Sequence, residues 1–182
     1  MATKETNEGR GEHPADYELY IMRHGIAVLR SPATVMDDAK RPLTPEGKEK
    51  MRTIATGLVR AGMVVDWIVS SPLVRAVETA EIVGESLDSK PPLDFCDALR
   101  PGGQPEALIA FLAKRSNRRR VLVVGHEPDL GELAARLIGA GRNANMAFKK
   151  GGCCLITFST FPPKAPGRLV WWLTPRVMRK LA

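Results

Sequence analysis

Apolar positions in this chain come in short runs separated by segments with helical spacing. "YELYIMRHG", positions 17–25, has apolar residues on both faces of an extended segment, which predicts a strand covered on both sides and placed centrally in a sheet. A polar loop, "AVLRSPATVMDDAKR", follows and closes at "PLTPEG", where Thr44 is placed to cap a helix and Pro45 to occupy its first position. That helix runs to about Arg60 with Ile54 and Leu58 on its apolar stripe, and Gly62 supplies the stop. "VDWIVSS" predicts a second buried strand, and "SPLVRAVETAEIVGESL" a helix with Ser71 as its cap and Pro72 in its first turn. "PPLDFCDAL" is a short apolar piece leading to the turn "RPGGQP" and to a helical pattern in "PEALIAFLAKRS". "VLVVGHEPDLGELAARLIGAG" then gives strand, tight loop and helix a third time. The tail predicts two antiparallel strands, "GCCLITFST" and "RLVWWLT", joined by the Pro-rich "FPPKAPG". On the last strand, Trp171 and Trp172 should divide between core and surface.

Strands alternating with helices, followed by a late hairpin, predict a three-layer α/β/α sandwich: a mostly parallel sheet with an antiparallel edge. In such sheets a ligand sits beyond the carboxyl ends of the strands. Three ends carry chemistry: Arg23-His24-Gly25, then Ser70-Ser71-Pro72 with Arg75 one turn on, then Gly125-His126-Glu127. Two of the chain's three histidines therefore reach one sheet edge, and His13 is left as a bystander.

Composition narrows the setting. A length of 182 residues with 44% hydrophobic content suits one domain, expected over residues 17–182, after a polar, disordered leader at 1–16 that lacks the apolar stretch of a signal peptide. No apolar run reaches the roughly 18 residues of a membrane span. The three cysteines, Cys96, Cys153 and Cys154, have no metal-ligand spacing, so a reducing cytoplasm is the expected location. The net charge of +7 points to an anionic partner. Nucleic acid is disfavoured: aromatics are only 5% of the chain and none interleaves with the basic run "RSNRRR", which reads as a solvated loop before a buried strand. Lys149 and Lys150 of "FKKGG" are likewise read as solvated.

Arginine offers a planar fork matched to phosphate oxygens, and helix starts offer free amides to the same anion. An imidazole among arginines has its protonation disfavoured by like charge, leaving a nitrogen lone pair that can attack phosphorus. A rival reading is a metal site in which both histidines join Asp37, Asp38 or Asp97. Arginines at that spot would repel a cation, and no His-x-His or His-Glu-x-x-His spacing occurs.

"MRHG" after a strand, "SSPLVRAVETA" in mid-chain and "VVGHEPDL" late, in that order and with "RPLT" between the first two, resemble the histidine phosphatase superfamily, or phosphoglycerate mutase-like family. The resemblance covers about Tyr17 to Thr174, and "DDAKRPLTPEG" and "ALRPGG" are more similar to its small SixA-type branch of protein phosphohistidine phosphatases. It implies His24 as a phosphorylated nucleophile, Arg23 and Arg75 as binders of the phosphoryl oxygens, and His126 as a hydrogen-bond donor to the same group. Arg41 of "RPLT" is implied as a contact at the rim and Gly25 as the turn beside the nucleophile. No metal or organic cofactor is implied. The departure concerns the general acid: larger relatives carry a Glu or Asp after the short middle strand, where this chain has "LDFCDALRPGG". Asp97 and Asp38 are the two possible acids, and alignment on "LRP" puts Ala98 at the expected place. The implied substrate is phosphohistidine on a signalling or phosphotransfer protein. The alternatives are a small phosphoester, nucleotide or short polyphosphate, and a non-catalytic phosphate-binding module.

Overall fold

The computed structural model describes residues 17–29, 37–115, 117–141 and 144–182, so the expected leader and His13 lie outside the described residues. Six strands form one sheet: β1 (Tyr17–Arg23), β2 (Trp67–Ser70), β3 (Leu93–Phe95), β4 (Arg120–Gly125), β5 (Cys153–Phe158) and β6 (Arg168–Leu173). Their order is β3-β2-β4-β1-β5-β6. The first four run parallel, and β5 pairs antiparallel with β1 and with β6. The helices are α1 (Pro45–Arg60), α2 (Val74–Ser86), α3 (Pro105–Ala113), α4 (Asp129–Leu137) and α5 (Pro175–Leu181). The fold is thus the α/β class read from the pattern, with its antiparallel strands on one side.

Side chains alternate across the sheet and feed two cores. Tyr20, Met22, Ile68, Leu122, Val124, Cys153 and Leu155 pack with Met51, Ile54, Leu58, Ala76, Ala80 and Met178 of α1, α2 and α5. Leu19, Ile21, Trp67, Val69, Val121, Val123, Cys154 and Ile156 pack with Leu108, Leu112, Leu130, Leu133 and Leu137 of α3 and α4. With both faces covered, strands must be apolar at odd and even positions alike, which is why "VLVV" and "YIM" read as continuous runs.

The first helix forms as its sequence predicts. Thr44 Oγ1 accepts from the Gly47 N–H at 2.9 Å, Pro45 opens the helix, and Gly62 follows its end with φ +85°, a conformation that favours glycine. The second helix differs. It begins at Val74, later than expected, and has no side-chain cap, because the Ser71 hydroxyl faces His126 instead. Trp171 and Trp172 also differ from expectation. They point to opposite faces, but both faces are core: Trp171 packs on the first cluster and Trp172 on the second, where its ring stacks on Phe148 at 3.9 Å between centroids. The final helix α5 was not anticipated, since only Met178 of its seven residues is buried and a single apolar contact leaves no readable period. Cys96, Cys153 and Cys154 are free and buried. Among the described residues no helix is long and apolar enough to cross a membrane.

Replacing Thr44 with Ala removes the acceptor for a first-turn amide of α1, and unfolding in denaturant should show a loss of about 1 kcal/mol that Thr44→Ser recovers.

Candidate active site

Parallel register brings three strand exits to one level. Arg23 pairs with Gly125 and Ser70 with Val124, so β1, β4 and β2 end side by side. Backbone bonds continue this alignment past the strand ends: the His24 N–H donates to the Gly125 carbonyl at 3.1 Å, and the Ser71 N–H to the Val124 carbonyl at 2.9 Å. His24 and His126 therefore meet, their ring centroids 5.1 Å apart with planes tilted by 53°. His24 is 7% exposed, His126 4% and Arg75 3%, a degree of burial rare for groups that can carry charge.

The orientation of His24 is set by its own backbone. Its Nδ1 lies 2.7 Å from the Gly25 carbonyl oxygen, which can only accept, so Nδ1 carries the hydrogen and Nε2 keeps a lone pair in the neutral ring. The Gly25 peptide is itself held, because its N–H donates to Thr79 Oγ1 at 3.0 Å, and that hydroxyl donates to the Arg75 carbonyl at 2.7 Å. Gly25 is required by space: a Cβ there would fall 2.7 Å from Met51 Cγ and 3.3 Å from Leu43 Cδ2. Arg75 and Thr79 are one turn apart on α2, so one helix face supplies both a guanidinium and the clamp on the His24 loop.

Arg23 leaves β1 and donates from Nη1 to the Phe148 carbonyl at 2.7 Å, while its Nε is buried with no hydrogen-bond partner among the described residues. The Phe148 peptide is gripped from the other side by Glu127, whose Oε1 accepts the Phe148 N–H at 3.1 Å. Sequence reasoning gave Glu127, Thr79 and Phe148 no role. Only the position of Glu127 beside His126 hinted at one.

Asp38, in a 3-10 turn at Asp38–Lys40, joins the two remaining arginines. Its Oδ1 accepts from Arg41 Nε at 2.7 Å, its Oδ2 lies 3.2 Å from Arg75 Nη2, and its carbonyl accepts from Arg75 Nη1 at 2.8 Å. Arg41 thus reaches the cluster through Asp38. Asp97 is placed differently: its carboxylate is 83% exposed and paired with Arg100 at 2.6 Å. Ala98 lies in the same recess as His126 and cannot move a proton; Asp129 also lines that recess, its Oδ2 accepting the Gly102 N–H at 2.9 Å. Of the carboxylates considered for a metal, Asp38 is engaged by Arg41 and Arg75 and Asp97 by Arg100, while Asp37 accepts the Ala39 N–H at 3.0 Å. Lys149 and Lys150 are exposed.

Both imidazoles are held far below their ordinary basicity, at about 3 rather than 6.5. Burial is the first cause in each. For His24 the neighbouring His126 and then Arg75 and Arg23 add to it, against the bond to Gly25; for His126 Arg75 is the chief charge, with Asp38 opposing. Like charge alone, the reason read from the sequence, is thus secondary to desolvation. Glu127 is pushed above the usual carboxylate range, mainly by burial, against its bond to Phe148 and the pull of Arg23.

A model of the histidine phosphatase superfamily (branch 1) matches residues 19–101. The chain is 36% identical over 137 residues to an uncharacterized protein of Picosynechococcus sp., covering 74% of this chain and 81% of that one. It is 33% identical over 122 residues to the phosphohistidine phosphatase SixA of Escherichia coli, covering 66% and 73%. The solved structure of the protein histidine phosphatase SixA complexed with tungstate superposes with a TM-score of 0.74 at 28% identity, covering 87% of this chain and 97% of that chain. The chain belongs to the histidine phosphatase superfamily, in its SixA-type branch, and has the phosphoglycerate mutase-like fold.

The lowered imidazole values have a consequence for folding. Between about 3 and 6.5 the unfolded chain binds protons that the folded chain does not, so stability is full above about pH 6.5 and falls as pH drops towards about 3. Denaturant titrations across that range should show this slope, and His24→Gln should make it shallower.

Proposed function

We propose that this protein is a phosphatase that passes the phosphoryl group through His24, and that its substrate is phosphohistidine on a protein. The observation that carries the reading is the Nδ1 bond of His24 to the Gly25 carbonyl, which leaves Nε2 as an unprotonated nucleophile at neutral pH. In the first step the Nε2 lone pair forms a bond to phosphorus while the bond from phosphorus to the leaving group breaks. Arg23 and Arg75 take up the charge on the equatorial oxygens, and His126 donates to one of them. In the second step water attacks phosphorus, the bond to Nε2 breaks, phosphate leaves and the proton of the water is released. Burial makes each of these charge contacts stronger than it would be in solvent. No step needs a cofactor.

The choice of phosphohistidine rests on the missing acid. By the resemblance, alignment on "LRP" sets Ala98 against the carboxylic acid of larger relatives, Asp97 turns to solvent, both oxygens of Asp38 are engaged by arginines, and Asp129 is bound to the Gly102 amide. An alkoxide leaving group needs a proton as it departs, whereas the ring of phosphohistidine can take up that proton beforehand from solvent on its second nitrogen, so that the P–N bond breaks to release neutral imidazole. Similarity to SixA supports the same substrate class. We assign Asp38 to orient Arg75 and Arg41 at the rim, and we read the free thiols as belonging to a reducing cytoplasm.

Wild-type protein should remove phosphate from a phosphohistidine-bearing phosphotransfer protein and act poorly on a generic phosphoester. Rapid quench should recover acid-labile, base-stable phosphate on His24. His24→Ala should lose turnover altogether, Arg75→Ala about 10²–10³-fold, and Asp97→Asn nothing. Turnover retained in His24→Ala would refute the nucleophile. Faster turnover of small phosphoesters would move the substrate to that class, and binding of phosphate without any hydrolysis would indicate a binding module.

A further inference from the structure

We propose that the Ser71 hydroxyl is a positioning group that decides which nitrogen of His126 carries the proton, fixing the Nδ1–H form that faces an incoming phosphoryl group. The proposal rests on the phosphate-binding reading of the pocket for its purpose, though not for its geometry. Ser71 is fully buried, and its N–H is bound to the Val124 carbonyl, two residues before His126. Its Oγ lies 2.8 Å from His126 Nε2 and 3.4 Å from the Leu73 amide nitrogen.

Two groups share the one hydroxyl. The Leu73 N–H can only donate, so it takes a lone pair of Ser71 Oγ, and the hydroxyl hydrogen needs an acceptor. Among the described residues His126 Nε2 is the one acceptor within reach of it. Were Nε2 protonated instead, the serine hydrogen would be buried without a partner, and His126 would turn a lone pair towards an anion. The satisfied arrangement is Ser71 O–H donating to Nε2, with the proton of the neutral ring on Nδ1. His126 Nδ1 is buried and has no hydrogen-bond partner among the described residues, so its N–H is reserved for an acceptor that enters the pocket.

The local structure of α2 accords with this role. Serine before Pro72 is well suited to cap the helix, yet α2 starts at Val74 without a side-chain cap. The neighbouring Ser70 hydroxyl donates to the Ser71 carbonyl at 2.9 Å, which holds the peptide that carries the group. His24 and His126 thus share the Nδ1–H form but offer opposite sides of it: the first has its proton drawn to Nδ1 by a carbonyl to free Nε2 for attack, and the second has Nε2 covered to free Nδ1–H for donation.

Nitrogen-15 spectra of the histidines in the resting wild-type protein at neutral pH read the tautomer directly, without substrate. The expected result is an Nδ1–H form for His126. In Ser71→Ala the two tautomers should mix, and affinity for inorganic phosphate and the rate of phosphoryl transfer should each fall about tenfold. Ser71→Thr, which keeps the hydroxyl, should restore all three. An Nε2–H form in the wild type overturns the proposal whether or not Ser71→Ala folds, and so does a Ser71→Ala protein with unchanged tautomer and phosphate affinity. If the tautomer follows Ser71 but no phosphorylated substrate is turned over, the positioning role stands and the phosphatase reading fails.

Discussion

The parallel pairing of β4 with β1 on one side and β2 on the other is the constraint on which the site depends. Arg23 opposite Gly125 and Ser70 opposite Val124 set all three exits level, and the bonds from His24 and Ser71 to β4 carbonyls extend the ladder into the loops. A slip of one residue in either pair would reverse which side chains face which core and would carry a histidine or Ser71 away from the edge. The two apolar cores therefore fix the position of the imidazoles as firmly as any contact between them.

That position creates an electrostatic situation that the pocket tolerates in only one way. Arg75 is even more buried than the imidazoles, and burial keeps both imidazoles neutral. An anion placed among these groups meets fixed donors that need no rearrangement, which is the condition under which preorganised charge stabilises a transition state most. The surrounding clamps serve this preorganisation. Thr79 holds the Gly25 peptide, Glu127 holds the Phe148 peptide that Arg23 grips, and Trp172 stacks on the Phe148 ring from the last strand.

Much of this was legible in the chain because buried strands announce their ends. "YIMRHG" and "VLVVGH" each run from apolar residues straight into the groups of the site, and the rule that ligands sit beyond strand ends then assembles Arg23, His24 and His126 without coordinates. Arg75 followed from lying one turn past "VSS". Residues that act at a distance were not legible. The contact of Asp38 with Arg75 crosses 37 positions and that of Glu127 with Phe148 crosses 21, and neither leaves a periodic trace. Ser71 was misread for a more local reason: serine before proline has a standard use at a helix start, and only the approach of β4 diverts it. The pair Trp171 and Trp172 misled through an assumption of one wet face, whereas at their end of β6 each face packs on a core cluster.

The contact between Asp38 and Arg75 has a kinetic side. A buried guanidinium stripped of its anion would be costly to leave behind, and a pocket built that way would hold inorganic phosphate tenaciously. Here a carboxylate from a neighbouring turn already rests against Arg75, with Arg41 on its other oxygen. If the pocket takes a phosphoryl group as proposed, departure of the anion leaves the arginine with a standing partner, so the arrangement that would attract the group would also ease its release.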